Sequence, residues 1–335
     1  MEYRLLGRTG VKVSPLCFGT MFFGGRVPAE EAYAQVDRAL EAGINFYDCA
    51  NIYTGGISEE VLGDAFKRNK KRDRAIVATK VHFPVNNEDP NAGGNSRRHI
   101  LDQCEKSLKR LKMDYIDLYY LHRPQSTIPI DETLRAMDDL IRSGKVRYIG
   151  TSTYAAWQIM ESLWVSREMG LNRFIAEQPP YNILDRRVER ELAPMAQSYG
   201  IALMPWRPIA EGILSDKYQE GNEPPKDSRV GQDQYLRKLR MKEEVFRVVK
   251  GVQKIAREKN CSTAQLALAW CMQQPGITSP IMGPRTMEQL ESCLSAQEIK
   301  VTKEDTDRID QMVPPGRVVS AYYDADFGPH KFSWV

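Results

Sequence analysis

A carboxylate, a phenol, an ammonium and an imidazole stand at or just beyond the ends of short apolar runs in this chain. Asp48 closes one run and Tyr53 follows it, both within Asn45-Phe-Tyr-Asp-Cys-Ala-Asn-Ile-Tyr53. Lys80 closes Ala75-Ile-Val-Ala-Thr79, and His122 closes Tyr115-Ile-Asp-Leu-Tyr-Tyr-Leu121. These four types suit proton transfer to a carbonyl. A free tyrosine, with a pKa of about 10, is too weak an acid to donate efficiently near neutrality. A buried ammonium beside it favours the phenolate and lowers that value. A buried carboxylate keeps the ammonium charged, and an imidazole can orient the carbonyl oxygen and donate to it. Tyr53 then serves as general acid. No side chain supplies hydride, so the chemistry requires a nicotinamide cofactor.

Each residue also has a plainer explanation. Asp48 can cap the next turn, Lys80 can lie on the surface, Tyr53 can be a loop aromatic, and His122 can be a buried ring bonded to backbone. The choice depends on the elements that carry them. Tyr3–Leu6 and Val11–Val13 flank Gly7-Arg-Thr-Gly10, a hairpin signal. An alternation of strand and helix then begins with Leu16-Cys-Phe18 and a helix opened by Pro28 and stopped by Gly43. The strand to Tyr47 leads to a helix capped by Ser58, and the strand to Thr79 to a helix capped by Ser96. After the strand to Leu121 comes a helix through Leu134, Met137, Leu140 and Ile141. Val146–Gly150, Ile175–Glu177, Ile201–Met204 and Thr278–Met282 read as strands. Ala155–Met169, Arg187–Tyr199, Ser262–Met272 and, last, Thr286–Leu294 read as helices.

Eight strand-then-helix units call for a parallel sheet covered by helices, and on this length they favour an α/β fold closed as a (β/α)8, or TIM, barrel. An open doubly wound sheet is the rival, but Gly-x-Gly-x-x-Gly is absent after the first strand, where Gly24-Gly25 is only a turn. Residues 1–335 read as one domain with an N-terminal β-hairpin, long loops and a C-terminal tail. A helix over Lys242–Lys259 is surplus to the barrel and packs outside it. In such a barrel the site forms at the carboxyl ends of the strands. Asp48, Lys80 and His122 end strands two, three and four, and Tyr53 lies in the loop after strand two, so all four converge on one rim.

A net charge of +3 on 335 residues implies no nucleic-acid or anionic-membrane partner. No apolar run reaches the roughly 18 residues a membrane span needs, and the first residues lack a basic-then-apolar signal. Six scattered cysteines without Cys-x-x-Cys read as reduced thiols in the cytoplasm. Four histidines without His-x-His or His-Glu-x-x-His give metal chemistry little support, so no metal is expected. Three segments are long and irregular: Phe83–Asn95, Trp206–Tyr235 and Val313–Val335. The last carries Tyr322, Tyr323, Phe327, Phe332 and Trp334. It either docks on the barrel, or helps cover a site or build a subunit contact, which leaves a homo-oligomer open.

With these motifs in place, the chain resembles the aldo-keto reductases over nearly its whole length. Asp48, Tyr53, Lys80 and His122 match that family's catalytic tetrad in order and context. Ile116-Asp-Leu-Tyr-Tyr-Leu-His122 and Gly144-Lys-Val-Arg-Tyr-Ile-Gly-Thr-Ser152 add specific strings. The resemblance implies a (β/α)8 barrel that binds NAD(P)H across its rim without a Rossmann domain. It implies backbone contacts to the cofactor from Thr20 and Met21, a further cofactor contact from Asp48, carboxamide contacts from Ser152 and Gln178, and stacking of Trp206 on the nicotinamide. Arg207, Pro208, Ile209, Ala210, Gly212 and Leu214 resemble the pyrophosphate cover, with Lys217 and Arg229 as phosphate contacts. Arg207 replaces a residue that is usually serine and could clamp a phosphate or an acidic substrate. Thr153 stands where the family often has asparagine. Gly283, Arg285 and Gln289 match the adenosine-phosphate segment, although Thr286-x-x-Gln289 is also a capping box. Arg285 favours NADP(H) over NAD(H), because a guanidinium reads phosphate well.

The expected function is therefore NADP(H)-dependent reduction of an aldehyde or ketone, possible substrates including a sugar or another hydroxylated carbonyl. Tyr53, His122, Arg123, Phe22, Phe23, Ile52, Phe83 and the tail would face this small-molecule substrate. The alternative is a non-catalytic, NADP(H)-sensing subunit like the potassium-channel β subunits, whose resemblance implies asparagine where this chain has His122.

Overall fold

The structure is a computed structural model, and it describes residues 1–84, 88–226 and 228–322. Ten strands and twelve α-helices follow in chain order among the described residues. They begin with β1 (Arg4–Leu5), β2 (Lys12–Val13), β3 (Cys17–Gly19), α1 (Ala29–Glu41), β4 (Phe46–Asp48), α2 (Ile57–Asn69), β5 (Ile76–Val81) and α3 (Arg97–Leu111). Next come β6 (Ile116–Leu121), α4 (Ile130–Arg142), β7 (Val146–Ser152), α5 (Ala156–Met169), β8 (Phe174–Gln178), α6 (Leu192–Tyr199) and β9 (Ala202–Leu203). The remainder is α7 (Arg229–Gln232), α8 (Gln234–Arg240), α9 (Glu243–Glu258), α10 (Thr263–Gln273), β10 (Ile281–Met282), α11 (Met287–Ser295) and α12 (Lys303–Met312).

Strands β3 to β10 form one parallel sheet in the order β10-β3-β4-β5-β6-β7-β8-β9. A parallel bridge between Leu203 and Ile277, with Thr278 N–H donating to Leu203 O at 2.9 Å, brings its edges together. The sheet is thus the TIM-type α/β barrel expected from the alternation. Successive strand residues point alternately inward and outward. Phe46, Ala78, Leu118 and Tyr120 join the inner cluster, while Tyr47, Val77 and Tyr119 pack outward beneath the helices. The same alternation turns Asp48, Lys80 and His122 inward. Register then staggers them, because Asp48 pairs with Ala78 and Lys80 pairs with Tyr120. Each of the three therefore stands one inward layer beyond the last.

The β1–β2 hairpin stoppers the opposite, amino-terminal mouth. Leu6 and Val13 enter the inner cluster with Ile175, Ala202 and Met204. Gly7 is required there, because its φ of +57° is left-handed and an added Cβ would lie 2.7 Å from Gly200 O.

Caps explain several helix starts. Ser96 Oγ accepts from His99 N–H at 3.3 Å, and Ser262 and Gln265 form a reciprocal capping box. Ser58 does not cap α2 as its type suggested. The helix starts one residue earlier, and Ser58 Oγ donates to Thr20 O at 2.7 Å. The helix expected over Arg187–Tyr199 splits into a 3-10 turn at Arg187–Glu189 and α6. Pro194 lacks an N–H and is tolerated only in a first turn. The segment Trp206–Tyr235 was expected to be irregular but contains α7. The last helix among the described residues is α12, not α11. Its reciprocal cap between Thr302 and Asp305 was the overlooked signal. Helix α9 is outside the barrel as expected, packed against α10 and α12. Residues Arg317–Tyr322 run back as a strap over the loop after β8. Val319 N–H donates to Leu184 O at 2.9 Å, and Tyr322 N–H donates to Asp185 Oδ2 at 3.0 Å. So the tail docks as far as Tyr322, while Tyr323, Phe327, Phe332 and Trp334 lie outside the described residues.

One helix contact decides a substitution. An alanine Cβ at Gly63 in α2 would sit 2.3 Å from Leu111 O at the end of α3. Helix propensity alone favours alanine by about 1 kcal/mol, but overpacking against backbone costs about 1–3 kcal/mol. Gly63→Ala is therefore expected to destabilise the protein in urea unfolding, and a gain in stability would refute the close approach.

Candidate active site

The inward layer at the carboxyl ends of β4, β5 and β6 carries a connected set of polar groups. Lys80, fully buried, donates through Nζ to Asp48 Oδ1 at 2.5 Å, to Cys49 O at 2.7 Å and to Tyr53 OH at 3.1 Å. Gln178 Nε2 donates to the other carboxylate oxygen, Asp48 Oδ2, at 2.8 Å. Tyr53 opens a 3-10 turn at Tyr53–Gly56 whose left-handed Thr54 and Gly55 swing the chain back over the rim. The Tyr53 and His122 rings meet edge to face with centroids 5.9 Å apart, and Phe83 packs edge-on to His122 at 5.0 Å. The structure thus brings together all four residues singled out in the sequence.

Burial dominates their electrostatics. It works against the Lys80 ammonium, but Asp48 and Tyr53 more than offset it, so the Lys80 pKa is raised and the group stays charged. Burial also raises Asp48, with Lys80 and Gln178 pulling it back. Burial, with Lys80 and Arg123 adding like charge, holds His122 well below the ordinary imidazole value and therefore neutral. For Tyr53 the expected balance is reversed. Burial raises its pKa more than Lys80 lowers it, so the ammonium limits the rise instead of producing a net fall. The phenol is protonated at neutral pH and lies beside a cation that would stabilise its anion.

Above this set opens a cavity of about 550 Å³. Asp48, Tyr53, His122, Ser152, Gln178 and Trp206 line its floor and near wall. Trp206 Nε1–H donates to Gln178 O at 3.0 Å and Ser152 Oγ–H donates to the same oxygen at 2.9 Å, which fixes the indole at the cavity edge. Met21, Phe22, Ile52, Phe83, Arg123, Lys217, Gly283, Arg285 and Gln289 line the cavity as well. Arg207, Pro208, Ile209 and Gly212 also line it. Gln289 plays two parts, since its Oε1 accepts from Arg285 N–H at 2.9 Å while Thr286 caps α11.

Some expected contacts fall elsewhere. Thr20 is buried beneath the cavity, bonded to Asp48 O and Ser58. Phe23, Ala210 and Leu214 are buried and face the core, Phe23 therefore away from the substrate side expected of it. Position 229 begins α7, but its side chain, Arg229, lies outside the described residues. Arg207 is committed to the protein. It pairs with Glu211 at 2.9 Å, donates to Tyr322 O at 2.6 Å and stacks over Trp206 at 4.6 Å. Its guanidinium is held in place by these contacts, which argues against the anion clamp its type suggested. Arg26, Glu211, Tyr218 and Ser228 line the cavity without having been singled out. They lie on loops without periodic pattern. Arg26, next to the Gly24-Gly25 turn, offered the nearest signal.

The sequence profile of the aldo/keto reductase family matches residues 15–314. A probable voltage-gated potassium channel subunit beta of Oryza sativa subsp. japonica is 39% identical over 320 residues, covering 93% of this chain and 97% of its own. An Arabidopsis thaliana protein of the same description is 37% identical, with the same coverage. An uncharacterized oxidoreductase of Bacillus subtilis (strain 168), YrpG, is 36% identical over 327 residues, covering 94% of this chain and 97% of its own.

Proposed function

Because the chain belongs to the aldo/keto reductase family, and so to carbonyl-reducing oxidoreductases, we propose that it reduces an aldehyde or ketone to an alcohol with NADP(H) as cofactor and Tyr53 as general acid. The observation that carries this reading is the position of Lys80 Nζ, within hydrogen-bond reach of both Asp48 and Tyr53 on the floor of the cavity. The donor set above it fits a nicotinamide dinucleotide. Trp206 offers a flat apolar face and Ser152 and Gln178 polar groups beside it, while Lys217, Arg285 and Gln289 supply cations and an amide for phosphates. The cofactor, when bound, supplies hydride to the carbonyl carbon. Neutral His122 donates a hydrogen bond to the carbonyl oxygen and orients it. Tyr53 gives up its proton to that oxygen, and Lys80, held charged by Asp48, stabilises the phenolate left behind. Phe22, Ile52, Phe83 and Arg123 shape the substrate end, where hydroxylated carbonyls such as sugars are candidates.

We read residues 1–335 as one domain. No described helix is long and apolar enough to cross a membrane. All six cysteines are free, in accord with a cytoplasmic setting. The rice and Arabidopsis relatives, each described as a probable potassium channel subunit beta, lend weaker support to a second reading that we keep beside the first, a non-catalytic subunit that senses NADP(H). The complete polar set at Asp48, Tyr53, Lys80 and His122 speaks for turnover.

Binding is tested by fluorescence titration with NADPH and, separately, NADH. Trp206→Ala is expected to weaken NADPH binding by about 1–2 kcal/mol, roughly five- to thirtyfold, through loss of stacking area. Tighter binding of NADH would refute the phosphate role of Arg285, and binding of neither would remove the hydride source.

The pH dependence follows from the same groups. Tyr53 must enter protonated, and burial raises its pKa above the ordinary 10.0. His122 must be neutral, and its pKa is depressed well below 6.5. We therefore expect kcat/KM to stay level from about pH 6 to about pH 9 and to decline only at more alkaline pH as Tyr53 loses its proton. A midpoint near neutrality would assign the acid to another group.

A further inference from the structure

We propose that Glu211 and Arg240 are positioning residues that bolt the wall Trp206–Gly212 to the C-terminal strap, and that this bolt sets how fast the cofactor leaves. The cofactor part of the proposal rests on the reading given above. The Glu211 side chain lines the cavity yet is fully buried from solvent. One carboxylate oxygen pairs with Arg207 NH2 at 2.9 Å, and the other with Arg240 Nε at 3.0 Å. Each arginine then reaches the strap. Arg207 donates to Tyr322 O at 2.6 Å, and Arg240 donates to Ala321 O at 2.5 Å and to Ser320 Oγ at 3.1 Å. The Arg240 guanidinium also lies 3.9 Å from the centroid of the Tyr322 ring. A single carboxylate thus joins the wall, α8 and the strap. The strap is tied in turn to the loop after β8 through Asp185.

The wall needs such a restraint. Arg207, Ala210 and Glu211 have φ of 60°, 51° and 59°, a left-handed conformation that non-glycine residues seldom adopt. Three such residues within five hold that shape only where their surroundings over-determine it. Arg207 also stacks on Trp206, so a shift of the bolt moves the indole. A cofactor held against this wall leaves when the wall opens, and the wall opens when the bolt parts. Arg240 itself does not line the cavity, so its effect on the cofactor is indirect.

The test compares the full-length protein with Arg240→Met and Arg240→Lys. Stopped-flow displacement should show NADPH leaving Arg240→Met at least about tenfold faster. The KM for NADPH should rise by a similar factor while kcat changes by less than about threefold. Arg240→Lys, which keeps the charge, should restore part of the slow release. Hydrogen exchange on the cofactor-free proteins gives a second readout. In Arg240→Met, residues 206–214 and 317–322 should lose protection together. Unchanged NADPH release alongside a lowered Tm would make the bolt purely structural and overturn the proposal, as would loss of protection in the strap alone. If the wild-type protein binds no nicotinamide cofactor, the reductase reading falls separately, and the exchange data alone decide whether wall and strap are joined.

Discussion

Tyr53→Phe is expected to lower kcat for carbonyl reduction by about 10²- to 10⁴-fold while NADPH affinity stays within about twofold. Phenylalanine keeps the ring that packs edge-on to His122 at 5.9 Å and removes only the hydroxyl bonded to Lys80 Nζ. The change deletes the proposed proton donor without opening a cavity. A loss of this size corresponds to about 3–5 kcal/mol of transition-state stabilisation. The neighbouring imidazole cannot take over cheaply, because burial and the Lys80 charge keep it neutral. Steady-state kinetics with an aromatic aldehyde, paired with a cofactor titration, give the result. A variant that retains more than a tenth of wild-type kcat would mean that protons come from His122 or from water. In the subunit reading, wild type and variant would be equally inactive.

The second large effect concerns stability. Lys80→Met removes the cation from a pair whose side chains are 0% and 3% exposed. Asp48 is then left in an apolar layer with Gln178 as its remaining side-chain donor. Breaking a buried pair from one side costs about 3–5 kcal/mol. The cost depends on pH, with a definite sign. Without Lys80, the folded-state pKa of Asp48, already raised by burial, rises further above its unfolded value. A raised carboxyl pKa contributes stability that is lost as pH climbs through it. The variant should therefore lie closest to wild type near pH 4–5 and fall furthest behind at about pH 8. Urea unfolding at the two pH values measures the difference. Adding Asp48→Asn should restore part of the loss at pH 8, since it removes the stranded charge. A loss that did not change with pH would show that packing, not charge, had been disturbed.

The catalytic set was legible in the sequence because a barrel strand is short and buried on both faces. A polar residue at the end of an apolar run therefore marks the rim, as Asp48, Lys80 and His122 do. The cofactor wall was less legible. The left-handed positions Arg207, Ala210 and Glu211 are not glycines, and Gly212 announces only the end of the second turn. The pairing of Glu211 with Arg240, and of Arg207 and Arg240 with the strap, is tertiary and leaves no local pattern. Ser58 misled for a related reason. Its hydroxyl is engaged by Thr20 from another element, so a good cap type was used elsewhere. The shift of Tyr53 depended on depth of burial, which residue types alone do not supply.

The hairpin that stoppers the barrel also has a history in time. Arg4 NH1 donates to Met272 O at 2.8 Å and to Ile277 O at 3.0 Å, across separations of 268 and 273 residues. On a chain made from its amino end, Arg4 emerges 268 and 273 residues before these partners. Contacts so distant in sequence form late, after the loop-closure entropy has been met by the rest of the fold. The amino-terminal mouth therefore stays open until those partners have been made. Until β10 is released from the ribosome, the growing barrel exposes the inner apolar layer that Leu6 and Val13 later cover, and it is in that interval that the nascent chain is most prone to bind a chaperone or to aggregate.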